Sequence, residues 1–171
     1  MQERTGIIQM KGNPLTLIGN EIKVGDVAPD FQTLDAALQP VRLSDYKGKV
    51  LVISTVPSLD TQICDLETKH FNDDAKKLGD DVSILTVSMD LPFAQKRWAD
   101  EADVKNLQLA SDHKDTSFGM AYGVLIKELR LLARTVFVIG RGGKVKYIQY
   151  VKETASEPDY DEVLEAVKAA M

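Results

Sequence analysis

Val50–Thr55 (Val-Leu-Val-Ile-Ser-Thr) is an unbroken run of β-branched and apolar residues, closed off by Pro57. A strand with so little polar face must be covered on both sides, as a central strand of an α/β sheet is. The period then changes. Ile63, Leu66, Phe71, Ala75 and Leu78 mark a helical face over residues 61–78, with Thr61 as N-cap and Gly79 as the C′ residue. Residues 82–87 repeat the buried-strand pattern, and Pro92 stands at the start of a second helix that runs to about Asp100, with Asp90 as its expected cap.

The remaining chain fills out this frame. Residues 7–10 and 15–18 are short apolar runs around Lys11-Gly12-Asn13-Pro14, the pattern of a terminal β-hairpin. Residues 41–45 suggest a short helical turn, residues 107–110 a short strand, and residues 116–122 a brief helix weakened by Gly119. Residues 133–139 and 144–151 read as two strands joined by the turn Gly140-Arg141-Gly142-Gly143. Tyr160, Val163, Leu164, Val167 and Met171 recur at helical spacing after Ser156, Pro158 and Asp159. The order β-β, β-α-β-α-β-α, β-β-α implies a mixed sheet with helices on both faces, and a thioredoxin-like fold has this architecture. No linker or repeat divides the 171 residues, so one domain over 1–171 is expected.

Charge and cysteine count narrow the chemistry. Lys plus Arg is 21 and Asp plus Glu is 26, a net charge of −5 that gives nucleic acid no general reason to bind. No apolar run approaches a bilayer span, and the first residues do not read as a secretory signal. The one cysteine, Cys64, can form neither an internal disulfide nor a Cys-x-x-Cys pair, and a reducing, cytoplasmic setting is expected. With Thr61 as N-cap, Cys64 is the N3 residue, where backbone N–H groups lack helical acceptors and favour a thiolate over a thiol. The Thr61 hydroxyl is placed to donate to the sulfur or to orient a bound oxygen. Pro57 removes a backbone donor and stiffens the loop. Each of these residues also has a plain reading: buried small hydrophobe, cap and strand terminator.

Arg134 interrupts the apolar run 131–139. Alternation alone would put it on a solvated face. The sharper reading sets it beside the Cys64 sulfur, since a buried guanidinium needs a partner. Arg130 and Arg97 are rivals for that place.

The stretch Pro57-Ser58-Leu59-Asp60-Thr61-Gln62-Ile63-Cys64 resembles the active-site signature of bacterial thiol peroxidases, the Tpx subfamily of the peroxiredoxins. Asp90-Leu91-Pro92-Phe93-Ala94-Gln95, Ser111-Asp112-His113, Ala121-Tyr122-Gly123-Val124, Leu132-Ala133-Arg134 and Glu157-Pro158-Asp159-Tyr160 are similar to further segments of that subfamily. The resemblance implies a thioredoxin-like fold with an added N-terminal β-hairpin. It implies reduction of hydrogen peroxide and alkyl hydroperoxides, recycling by thioredoxin, and a homodimer. It makes Cys64 the peroxidatic cysteine, with Pro57, Thr61 and Arg134 as the other active-site residues and no cofactor or metal. One departure stands out. The subfamily's resolving cysteine falls on Ala99, so the usual internal disulfide is impossible here. The chain is then either an engineered Cys-to-Ala form or a one-cysteine member recycled by thioredoxin or another external thiol.

Other functions fit less well. His70 and His113 lack metal-ligand spacing. Asp73-Asp74 and Asp80-Asp81 look like solvated charge, and Gly140-Arg141-Gly142-Gly143 lacks the ending of a phosphate loop. Phe93, Trp98, Leu132 and Tyr150 are the candidates for an apolar pocket lining. The serious rival to an enzyme is a thioredoxin-fold binding protein without chemistry, which Ala99 allows and the joint presence of Pro57, Thr61, Cys64 and Arg134 opposes.

Overall fold

The computed structural model describes residues 2–171. Strands β1 (Glu3–Met10) and β2 (Asn13–Ile18) form the terminal hairpin; β3 (Gln32–Leu34) and β4 (Pro40–Arg42) form a second, followed by a 3-10 turn at Leu43–Tyr46. Then come β5 (Val50–Thr55), α1 (Gln62–Leu78), β6 (Val82–Ser88), α2 (Pro92–Ala102), β7 (Gln108–Ser111), α3 (Ser117–Ala121), β8 (Leu125–Ile126), β9 (Leu131–Leu132), β10 (Thr135–Ile139), β11 (Val145–Tyr150) and α4 (Tyr160–Ala170).

The main sheet has seven strands in the order β11-β10-β5-β6-β7-β3-β4. β5 lies inside it, parallel to β6 and antiparallel to β10, and all six of its residues are buried. Successive side chains of a strand point to opposite faces. Leu51 and Ile53 therefore join a core with Phe118, Leu125 and Phe137, while Val50 and Val52 join one with Phe71 of α1 and Val163 and Val167 of α4. Phe71 alone contributes on the order of 2 kcal/mol by this burial. Thus α1 and α4 cover one face. The first core is closed by α3 and by a second, four-stranded sheet, β1-β2-β8-β9, to which the N-terminal hairpin belongs. This is the mixed, helix-flanked, thioredoxin-like architecture with an added hairpin.

Several expectations change in detail. β10 begins at Thr135, so Ala133 and Arg134 lie just before the strand. The two-residue strands β8 and β9 and the short hairpin β3–β4 are too brief to leave a periodicity. Helix α1 starts after Thr61 and ends at Gly79, whose φ of +78° favours glycine; Phe71, Ala75 and Leu78 of its expected apolar face do pack inward, but they share that face with polar residues. Leu66 is 44% exposed, whereas Glu67, Thr68, Asn72 and Asp74 are buried. Hydrogen-bond partners account for three of them, two from other elements and one within the helix. Glu67 pairs with Arg134, Thr68 donates to the Cys64 carbonyl at 2.8 Å, and Asn72 accepts from the N–H groups of Lys105 and Asn106. Asp74 is thus not solvated charge; it lies beside His70, whose ring stacks on Tyr160. His113 shares a hydrogen bond with Ser111 at 2.9 Å.

Candidate active site

Helix α1 starts in the loop that leaves the C-terminal end of β5, so the fold brings the N–H groups of a helix start, which have no acceptors within the helix, to the end of an interior strand. Thr61 sits at the cap with extended backbone angles (φ −89°, ψ 148°). Its Oγ1 accepts from the Cys64 N–H at 3.4 Å, as a cap should. Its proton goes to the Ser58 carbonyl at 2.9 Å, not to the sulfur. The expectation of a Thr61 hydroxyl aimed at sulfur therefore gives way to a hydroxyl that locks the loop onto the first helical turn.

Arg134 resolves in favour of the sharper reading: it is 2% exposed and its Nη2 donates to Cys64 Sγ at 3.2 Å. The side chain is held on every polar edge. Nη1 meets Glu67 Oε2 at 2.6 Å, while Nε and Nη2 donate to the Thr154 carbonyl at 3.1 and 2.8 Å. Glu67 Oε1 accepts from Ser54 Oγ at 3.0 Å. The main chain is fixed too, by the Val151 N–H on the Arg134 carbonyl and by the Thr55 hydroxyl on the Ala133 carbonyl. A guanidinium pinned by one carboxylate and one carbonyl is preorganised, so aiming it costs nothing at the moment of reaction. Arg130 and Arg97, the rivals, are both exposed.

Burial pushes the Glu67 carboxyl up, to about 7, against the pull of Arg134 and of the Ser54 hydroxyl. Burial also works against the Arg134 charge, but Glu67 and Cys64 outweigh it and hold the guanidinium above its ordinary value. One cation therefore faces two acidic groups in a dry cluster.

In front of this cluster lies a pocket of about 210 Å³, walled by Pro57, Thr61, Ile63, Arg134, Thr154 and, from the hairpin tip, Met10. Arg134 both lines the pocket and touches the sulfur, although Cys64 itself is 0% exposed. The hairpin tip is stapled to the segment carrying Thr154: the Gln9 N–H donates to the Lys152 carbonyl and the Thr154 N–H to the Gln9 carbonyl. The expected apolar lining turns out differently. Leu132 is core, Tyr150 packs against the core and under Arg4, and Phe93 is 66% exposed. Only Trp98 stays near the cysteine, packed with Val56, Leu59 and Cys64, its Nε1 donating to Asp65 at 2.8 Å. Ala99, the next residue on α2, lines a separate pocket with Val104 and Leu107.

Glu67 and the Thr154 carbonyl are the members that sequence reasoning missed. A signal existed for Glu67. It lies three residues after Cys64, hence on the same helix face, and a buried arginine needs a counter-charge. Nothing in the sequence marks a backbone carbonyl.

Comparison with known proteins places the chain in a family. Residues 23–164 match the family model described as Redoxin. The chain is 57% identical over 164 residues to the thiol peroxidase of Halalkalibacterium halodurans, covering 96% of this chain and 98% of that protein. It is 53% identical over 162 residues to the thiol peroxidase of Bacillus subtilis, covering 95% and 96%. The crystal structure of a peroxiredoxin-like protein from Aquifex aeolicus superposes with a TM-score of 0.91 at 45% identity, over 98% of both chains. These likenesses favour an enzyme over a binding module, and the chain belongs to the Redoxin family, within which it is a thiol-dependent peroxidase of the thiol peroxidase subfamily.

Proposed function

We propose that Cys64 is the group that meets the hydroperoxide, with Arg134 as its electrostatic partner and Pro57 and Thr61 shaping the wall of the pocket. The single observation that carries this is the guanidinium Nη2 lying 3.2 Å from Sγ while the same side chain faces the pocket. The thiolate attacks the distal oxygen of the hydroperoxide. An S–O bond forms, the O–O bond breaks, and the electron pair leaves on the departing oxygen, which takes up a proton as water or an alcohol. Arg134 and the N–H groups at the helix start stabilise the charge that builds on that oxygen. The product is a sulfenic acid at Cys64.

With Ala99 at the resolving position, the chain has no second thiol. A thiol from another molecule, thioredoxin or another external thiol, attacks the sulfenic sulfur, releases water and leaves a mixed disulfide that a further thiol reduces. The largely apolar pocket suits hydrogen peroxide and also hydroperoxides with a short hydrocarbon chain. The same reading takes residues 1–171 as one domain of a cytoplasmic homodimer. Mass spectrometry after one equivalent of peroxide should find one added oxygen, on the peptide containing Cys64. A Cys64→Ser protein that consumed hydroperoxide as fast as the wild type would end the proposal.

A further inference from the structure

The segment Asp90-Leu91-Pro92-Phe93-Ala94-Gln95 has no part in the chemistry above, yet both oxygens of its Asp90 carboxylate and the amide nitrogen of its Gln95 are hydrogen-bonded to neighbouring elements. Asp90 does not cap α2 as the sequence suggests; the N-cap is Leu91, with no side-chain hydrogen bond. The Asp90 carboxylate turns instead to the loop that precedes Cys64. Oδ1 accepts from Ser58 Oγ at 2.7 Å, and Oδ2 accepts from the Leu59 N–H at 2.8 Å and from Ser88 Oγ at 2.7 Å. Gln95, itself buried, completes the brace: its Nε2 donates to Ser88 Oγ at 3.0 Å and to the Ala110 carbonyl at 2.9 Å. Ser111 Oγ donates to the Asp90 main-chain carbonyl. The ends of β6 and β7 and the root of α2 are thereby tied through one carboxylate to residues 58 and 59.

We infer that Asp90 is a positioning residue, a latch that holds the Cys64 loop closed against the root of α2 and so sets the balance between a closed cysteine and one that a second molecule can reach. Two observations require such a balance. Cys64 is 0% exposed with its neighbour Leu59 packed beside it, and the chain holds no other cysteine. A bulky thiol or disulfide therefore meets the sulfur only when residues 57–64 move away. Val56 and Leu59 resist this by apolar burial, and Asp90 resists it with two charge-assisted hydrogen bonds to residues 58 and 59. The consequence for turnover rests on the reading of Cys64 as the reacting thiol, but the latch itself is tested without peroxide.

The test uses 5,5′-dithiobis(2-nitrobenzoate), a bulky aromatic disulfide, on the intact protein in native buffer, with urea unfolding followed in parallel. Asp90→Ala should raise the rate of Cys64 modification by about tenfold or more, and Ser58→Ala, which removes one donor, by a smaller factor. Val167→Ala, which thins the core shared by α4, β5 and the middle of α1 without removing any hydrogen bond to residues 58 and 59, lowers global stability but should leave that rate unchanged. Oxidation of Cys64 by hydrogen peroxide, which depends on the closed geometry, should slow in Asp90→Ala. An Asp90→Ala protein modified at the wild-type rate, or a Val167→Ala protein modified as fast as Asp90→Ala, would overturn the latch. Should Asp90→Ala fail to fold, Ser58→Ala decides by the same two criteria. If the modification rates behave as expected while the wild-type Cys64 gains no oxygen from peroxide, the latch stands and the peroxidatic assignment fails.

Discussion

Glu67 and Asp112 are both buried carboxylates, 0% and 2% exposed, and the fold treats them in opposite ways. Glu67 faces a guanidinium at 2.6 Å, and that guanidinium faces a sulfur. Asp112 follows β7 and, among the described residues, pairs with no cation; it accepts from the backbone N–H groups of Phe118 and Gly119 at 2.9 and 2.8 Å, at the start of α3. Burial raises both carboxyls, Asp112 to about 6 and Glu67 to about 7. Backbone donors cannot move their charge elsewhere, so Asp112 is committed to architecture. Arg134 can divide its charge between Glu67 and Cys64, so the Glu67 cluster is suited to chemistry.

The sharpest way to break this comparison is to remove the cation. Arg134→Ala leaves Glu67 buried without a counter-charge, which should cost about 3–5 kcal/mol in urea unfolding. It should also slow sulfenic acid formation by on the order of a hundredfold in stopped-flow measurements. Asp112→Ala strands two N–H groups and should cost about 1–3 kcal/mol. Its rate of peroxide consumption per folded molecule should stay at the wild-type value. Equal slowing in both variants would erase the distinction between the two sites.

A subtler measurement separates them by pH. Both carboxyls sit above their ordinary range in the folded protein, so the folded state keeps protons that the unfolded chain has released. Their contribution to stability is fully present below the ordinary carboxylate range. It is lost as pH rises through about 6 for Asp112 and about 7 for Glu67. Urea midpoints taken across this window should therefore fall with rising pH. Glu67→Gln should flatten the upper part of the fall and Asp112→Asn the lower. An unchanged slope in Glu67→Gln would mean that Arg134 keeps Glu67 ionised throughout. The smallest effect belongs to the cap that starts α1: Thr61→Ala should cost about 1 kcal/mol, and Thr61→Ser should restore it.

The strands β5, β6, β10 and β11, the helices α1 and α4 and the terminal hairpin were legible because each is long enough to show a period or is bounded by a cap or turn. β3, β4, β8 and β9 have two or three residues each and exist only because neighbouring strands pair with them. In the site, Cys64 at N3 and Thr61 as its cap follow from local chemistry alone. Asp90 was misread for a physical reason: an acidic residue close ahead of a helix start reads as a cap, but with Pro92 as the first helical residue the cap position is Leu91, and the folded loop offers Asp90 donors in Ser58 and Leu59. On α1 the apolar residues Phe71, Ala75 and Leu78 were legible and the buried Glu67 and Asn72 were not, because polarity excludes a residue from a core only until a buried partner is known.

The order of residues by itself determined the central buried strand, the helix that begins beside it and the cysteine held at that helix's third position, since these depend on neighbours within a few residues. Which arginine reaches the sulfur, which carboxylate balances it and which segment holds the cysteine loop shut were decided by tertiary structure. Desolvation leaves a charged or polar group stable only beside partners that the chain supplies from far away, and Arg134, 67 residues from Glu67 and 70 from Cys64, is held by just such partners.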